Sequence, residues 1–125
     1  MSIFHLSLPV KDLEETRSFY CDILKGIQEK TTTNWFNVNL KGHQLTFHWL
    51  PDEVIANKHL HWGLIISWED FHTIFDDLNR HQVPFILMPD YQETGSLAER
   101  VKMVFTDPSN YLIECKAYKH GTAQF

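Results

Sequence analysis

Apolar and polar positions alternate over most of this chain, and the spacing turns helical in two stretches. Ile3 to Val10 reads as a first strand, and Pro9 near its end places it at an edge or a strand terminus. Asp12 followed by Glu15 is a helix-start signal. The helix it opens is expected to run to about Leu24, with Leu13, Thr16, Tyr20, Ile23 and Leu24 on one stripe and Gly26 as the stop. Gln28 to Thr32 gives a weak strand. In Trp35 to Leu40, Phe36, Val38 and Leu40 share one face and Trp35, Asn37 and Asn39 the other. Lys41-Gly42 reads as a hairpin turn into His43 to Leu50, where Leu45 and Phe47 oppose Gln44, Thr46 and His48. Pro51 to His59 is a polar connection.

The pattern then starts again. Leu60 to Ile66 is an apolar, β-branched strand, with His61, Gly63 and Ile65 on one face and Trp62, Leu64 and Ile66 on the other. Ser67 and Asp70 open a second helix carrying Phe71, Ile74, Phe75 and Leu78, which ends near His81. Pro84 to Met88 is expected as a strand and Pro89 to about Ala98 as a polar loop. Val101 to Thr106 is a strand, Asp107-Pro108-Ser109-Asn110 a turn, and Tyr111 to Ala117 the last strand, in which Leu112, Glu114 and Lys116 share a face. His5 and His61 lie 56 residues apart, and the same offset carries Leu8 onto Leu64, Val10 onto Ile66 and Phe19 onto Phe75. The chain is therefore read as two copies of one βαβββ unit, about 1–52 and 58–118, in a single α+β domain. Sheets from two such units can join around a central cavity.

Composition narrows the classes. A chain of 125 residues, 43% hydrophobic and 22% charged, suits one soluble globular domain. A net charge of −5 argues against nucleic acid or an anionic membrane as the main partner, and no apolar run is long enough to span a bilayer. Nothing at the start reads as a secretory leader, and the two cysteines, Cys21 and Cys115, have no framework spacing. A reduced, cytoplasmic protein is the expectation. Eight histidines stand out, so their positions matter. His72 and His81 fall on the polar side of the second helix and read as solvated.

Four polar residues fall at corresponding places in the two copies: His5 and His61 in the first strands, Gln44 and Glu114 in the last. Singly, either histidine reads as a hydrogen-bonded core residue, and Glu114 as a partner of Lys116 or a residue of a solvated sheet face. The repeat changes that weighing. Two imidazoles and a carboxylate are the donor set of a non-haem Fe(II) site with open positions, and they also suit Mn, Ni, Co or Zn. A carboxylate between Ile113 and Cys115 is costly to bury unpaired, and a metal removes that cost.

These residues carry a resemblance. Phe4-His5-Leu6 with Pro9-Val10 and Asp12-Leu13, Ser18-Phe19-Tyr20 with Asp22-Ile23-Leu24, and Phe105-Thr106-Asp107-Pro108-Ser109 leading into Ile113-Glu114 resemble the vicinal oxygen chelate superfamily. That superfamily includes glyoxalase I, extradiol dioxygenases and the fosfomycin- and bleomycin-resistance proteins. The resemblance runs from Ile3 to about Ala117 and looks nearest to a small branch described as extradiol-type dioxygenases. It implies paired βαβββ modules forming a curved mixed sheet around a metal cavity, with His5, His61 and Glu114 as ligands and a homodimer as the assembly. It also implies a small-molecule substrate that chelates the metal through adjacent oxygens; with the dioxygenase reading, the expected metal is Fe(II). Gln44 stands where the glyoxalase pattern has a second carboxylate. An amide cannot act as the base that isomerase needs, but it can be a fourth ligand. His48 shares a face with Gln44 and is the candidate catalytic acid/base. The implied activity is that of an extradiol-type dioxygenase. The alternatives are a glyoxalase-like lyase, isomerase or thiol transferase, and a binding protein of the resistance type. Asn110 stands where the family turn has glycine, and asparagine tolerates the left-handed conformation required there.

Overall fold

The computed structural model describes residues 2–55 and 59–121. The chain divides into two compact units. One holds the first half of the chain and the turn Asp107–Asn110; the other holds the rest of the second half.

The first unit contains strands β1 (His5–Val10), β2 (Ile27–Thr31), β3 (Trp35–Leu40) and β4 (His43–Trp49), in the sheet order β1-β4-β3-β2. β1 runs parallel to β4, and β4-β3-β2 is an antiparallel meander. The parallel pairing requires a crossover, which α1 (Leu13–Arg17) and the wider π-helical stretch Ser18–Ile23 provide. The Asp12 side chain caps α1, accepting from the Glu15 N–H at 2.8 Å, as the capping signal predicts. The single α-helix expected up to Leu24 instead widens after Arg17: the Leu24 N–H reaches back to the Phe19 carbonyl and the Gly26 N–H to the Tyr20 carbonyl. The adjacent residues Phe19 and Tyr20 are both buried in that wider stretch. The core is aromatic: the Tyr20 ring lies 4.4 Å from the Phe47 ring, which packs 5.4 Å from Phe36. Tyr20 Oη also donates to Asp107 at 2.7 Å, and Asp107 accepts from the Ser109 N–H, so the turn of the second repeat is tied into the first unit. Asn110 takes φ 67°, the left-handed conformation expected of it.

The second unit repeats the plan with β5 (His61–Ile66), α2 (Trp68–Arg80), β6 (Phe85–Gln92), β7 (Arg100–Thr106) and β8 (Leu112–Tyr118), in the order β5-β8-β7-β6. β5 is parallel to β8, and Ser67 caps α2 through the Asp70 N–H at 3.0 Å. Phe71, Ile74 and Leu78 of α2 are buried, as are Ile113, Cys115 and Ala117 of β8 and Val101, Met103 and Phe105 of β7. One expectation fails here. β6 does not stop at Met88 but continues through Pro89 to Gln92. It is an edge strand whose register against β7 shifts twice, and a proline is tolerated where a ladder N–H is not required. The two mixed sheets with their crossover helices make the α+β architecture of paired βαβββ modules. Among the described residues no helix is long and apolar enough to cross a membrane.

Candidate functional site

In each sheet one face is closed by the crossover helix and its apolar side chains, and the other is polar. Alternation assigns the residues. In the first sheet His5 and Ser7 of β1, Gln44, Thr46 and His48 of β4, and Trp35, Asn37 and Asn39 of β3 share the polar face. In the second, His61 and Gly63 of β5, Glu114 and Lys116 of β8, and Arg100 and Lys102 of β7 do so.

In the second unit His61 Nε2 lies 3.2 Å from Glu114 Oε2. Lys116 Nζ is 4.0 Å from the same oxygen, beyond hydrogen-bond length. The Glu114 side chain is 15% exposed and that of His61 48%, so the carboxylate is sheltered and the imidazole is open to solvent. A cavity of about 230 Å³ lies over them, lined by His61, Gly63, Ile65, Glu114 and Lys116. Gly63 makes the pair possible. It is the register partner of Glu114, and a Cβ built on it would fall 1.7 Å from the Glu114 carbonyl oxygen. Only glycine lets β5 come this close to β8, and that approach brings the side chain diagonal to Glu114 into contact with it.

In the first unit His5 lies at the register of Gln44, and both line a cavity of about 290 Å³ with Glu29, Asn39 and His43. The His43 Nδ1 is buried there with no hydrogen-bond partner among the described residues. Gln44 and Glu114 do not occupy the same place in the two sheets. Gln44 opposes His5, whereas Glu114 opposes Gly63, two residues beyond His61; the first-sheet counterpart of Glu114 is Thr46, opposite Ser7. Alternation puts Thr46 on this face, but its match to Glu114 is hidden in the sequence because the second repeat is longer, so counting residues from each histidine misaligns the final strands. Its hydroxyl donates to Asn37 Oδ1 at 2.7 Å. His48 is half-buried on the polar face of β4, at the register of Pro9 and Trp35, with its ring 6.4 Å from that of Trp35. His72, expected in solvent, is held at both ring nitrogens: Nδ1 by the Trp68 carbonyl and Nε2 by the Tyr91 hydroxyl, each at 2.7 Å. His81 is exposed, with Nδ1 against the Asp77 carbonyl. Cys115 is buried and Cys21 partly so.

The donor chemistry of the second unit fits a divalent cation. Ligand bonds of about 2.1 Å to one ion place neighbouring donor atoms roughly 3 Å apart, and the His61–Glu114 separation matches that spacing. Among the described residues no group of three His, Cys, Asp or Glu side chains forms a complete metal site.

Residues 2–115 match the family model described as the glyoxalase/bleomycin resistance protein/dioxygenase superfamily. A comparison with curated proteins finds no match. Among solved structures, a glyoxalase/bleomycin resistance protein/dioxygenase from Alicyclobacillus acidocaldarius is 25% identical, with a TM-score of 0.77, covering 94% of this chain and 91% of that one. The fosfomycin resistance protein FosX from Listeria monocytogenes is 18% identical, with a TM-score of 0.79, covering 99% and 96%. An E126Q mutant of the Listeria FosX, also 18% identical, at a TM-score of 0.76 and coverage of 98% and 92%, was solved with Mn(II) and 1S,2S-dihydroxypropylphosphonic acid. Two βαβββ modules with polar sheet faces, and a family model spanning nearly the whole sequence, lead to one conclusion: this chain belongs to the glyoxalase/bleomycin resistance protein/dioxygenase superfamily, the vicinal oxygen chelate proteins.

Proposed function

We propose that the protein is a divalent-metal enzyme acting on a small molecule that binds the ion through two adjacent oxygens. His5, His61 and Glu114 are the proposed ligands. The observation that carries this reading is the His61–Glu114 pair, a sheltered carboxylate and an accessible imidazole 3.2 Å apart on the polar face of the second sheet. His5 supports it as the residue at the place of His61 in the first repeat. Its exposed side chain has no hydrogen-bond or ion-pair partner among the described residues, so its imidazole is free to ligate. The bound ion supplies Lewis acidity, polarising the substrate oxygens and easing loss of a proton from a chelating hydroxyl. This chain's own residues then have separate tasks. Glu114 contributes negative charge to the ion's surroundings, Gln44 is a neutral donor and acceptor beside His5, and His48 is proposed to exchange a proton with the substrate.

With Fe(II) the proposed activity is dioxygenase chemistry of the extradiol type. Gln44 next to His5, an amide oxygen on the same polar face that can serve as a fourth ligand, favours a second reading: lyase, isomerase or transferase chemistry with Mn, Ni, Co or Zn. Metal analysis after anaerobic purification decides between them. Iron near one per chain, with oxygen consumed in the presence of a catechol-type diol, supports the first. Another divalent metal near one per chain supports the second. Protein that binds no divalent metal after reconstitution overturns the metal-enzyme proposal and leaves small-molecule sequestration.

A further inference from the structure

The polar face of the second sheet holds a second constellation beside the His61–Glu114 pair. Arg100 and Lys102 on β7 and Lys116 on β8 line a cavity of about 220 Å³ with Asp90, Gln92 and Tyr118. Lys102 and Lys116 are direct register partners across the antiparallel β7–β8 pair. Like charges placed directly opposite each other destabilise a sheet. The protein's own carboxylates relieve this pair only in part: Glu114 stands 4.0 Å from Lys116 and, among the described residues, none pairs with Lys102. Lys102 has neither an ion-pair nor a hydrogen-bond partner among the described residues, although Asp90 is its register partner on β6. Asp90 instead accepts from the Gln92 amide at 3.2 Å. Lys116 stands 4.0 Å from Glu114, and Arg100 is paired with Glu93 at the rim. Three cations against one carboxylate thus line one concavity in a chain whose net charge is −5.

We propose that this concavity binds the anionic end of the substrate, a carboxylate or phosphoryl-type oxyanion, with Lys102 and Lys116 as its principal contacts. Lys116 also lines the cavity over His61 and Glu114, so the two spaces share a wall. Glu114 and Lys116 are two residues apart on one strand, a step of roughly 7 Å. Lys116 Nζ, however, lies only 4.0 Å from Glu114 Oε2, so the substrate defined by this face carries its chelating oxygens and its anionic group within the length of a small acid. The assignment of substrate class rests on the metal-site reading, but the anion site itself does not, since none of its principal contacts is a proposed ligand.

The test uses metal-free full-length protein with inorganic phosphate and malonate as probes and chloride at matched ionic strength as the control, read by titration calorimetry and thermal melting. Phosphate or malonate is expected to bind and raise Tm where chloride does not. Lys102→Gln and Lys116→Gln should each weaken that binding about tenfold or more, the range for losing a charge-assisted hydrogen bond. Lys102→Gln should leave Tm in anion-free buffer unchanged or raised, because it relieves the opposed charges. A purely structural lysine would instead lower Tm on replacement. Glu114→Gln should lose metal and keep the anion response; if it does, failure of the metal reading leaves this site standing. Three results overturn the proposal: no binding by the wild-type protein, equal binding of chloride, or undiminished binding in both lysine variants.

Discussion

At the scale of single residues, the site depends on one atom that is missing. Gly63 has no Cβ, and the space a Cβ would take is filled by the backbone of Glu114. Gly63→Ala forces β5 away from β8 and separates His61 from Glu114. Overpacking of this kind typically costs about 1–3 kcal/mol. We expect a lower denaturant midpoint together with weakened metal affinity; unchanged metal binding in a folded Gly63→Ala protein would dissociate the glycine from the site. The roles of His48 and Glu114 separate in a similar way. His48→Gln keeps polarity and rough size but removes the imidazole, the group able to take up and release a proton. It should retain about one metal per chain in metal analysis and lose turnover by the roughly 10²–10⁴-fold that a general acid/base contributes, whereas Glu114→Ala should lose both. Loss of metal in His48→Gln would make His48 a ligand. What the sequence showed at this scale was type and face: His61 and Glu114 were legible because a histidine and a carboxylate interrupt apolar strands. Thr46 and Lys102 were not, because threonine and lysine on a polar face look like any solvated position until the register sets them opposite something.

At the scale of elements, periodicity served best where one face is buried. The eight strands and the α2 helix were legible, and both caps formed as their signatures require. The errors fall where local chemistry and tertiary packing disagree: after Arg17, where helix and core together select the wider turn, and at Pro89, read as a strand end although the edge position makes it harmless. The connection between β6 and β7 has its own fastening. Glu99 is buried. Its Oε1 accepts from the Gly95 N–H at 2.8 Å, its Oε2 faces Lys119 Nζ at 3.4 Å, and its carbonyl takes the Lys119 N–H at 3.0 Å. The Gly95 hydrogen bond, chiefly, and the nearby Lys119 charge hold the Glu99 carboxyl below its ordinary value of 4.5, against the opposing effect of burial. A carboxyl depressed on folding contributes stability that is present above its unfolded pKa and is lost as pH falls through the lower folded one. Denaturation measured from pH 6 downward should therefore show stability falling below about 4.5. Glu99→Gln should be less stable at pH 6 and should show a shallower decline on acidification. An identical pH slope in the two proteins would remove Glu99 from this role.

For the whole molecule, the internal repeat is the organising fact, and it leaves open edges. Each sheet has two outer strands, β1 and β2 in one and β5 and β6 in the other, each with one side not paired within its sheet. Unpaired strand edges invite further pairing. Exposed apolar side chains flank or occupy all four of these strands: Ile3 and Phe4 before β1, Ile27 in β2, Leu60 before β5, and Ile86 and Met88 in β6. A chain that exposes this much apolar surface at its strand edges gains by covering it with another protein surface, and a second copy is the partner always available to it. We therefore expect a homodimer. Sedimentation at micromolar concentration should give about twice the 14.8 kDa of the chain. Because association stabilises only the folded form, Tm should also rise with protein concentration. The same dilution series carried out with metal bound tests whether assembly and the metal site are linked: a shared dependence would show ligand binding and dimerisation strengthening one another, as linkage demands of coupled equilibria. A mass of one chain, together with a Tm independent of concentration, would mean that the apolar edges are met by something other than a second copy.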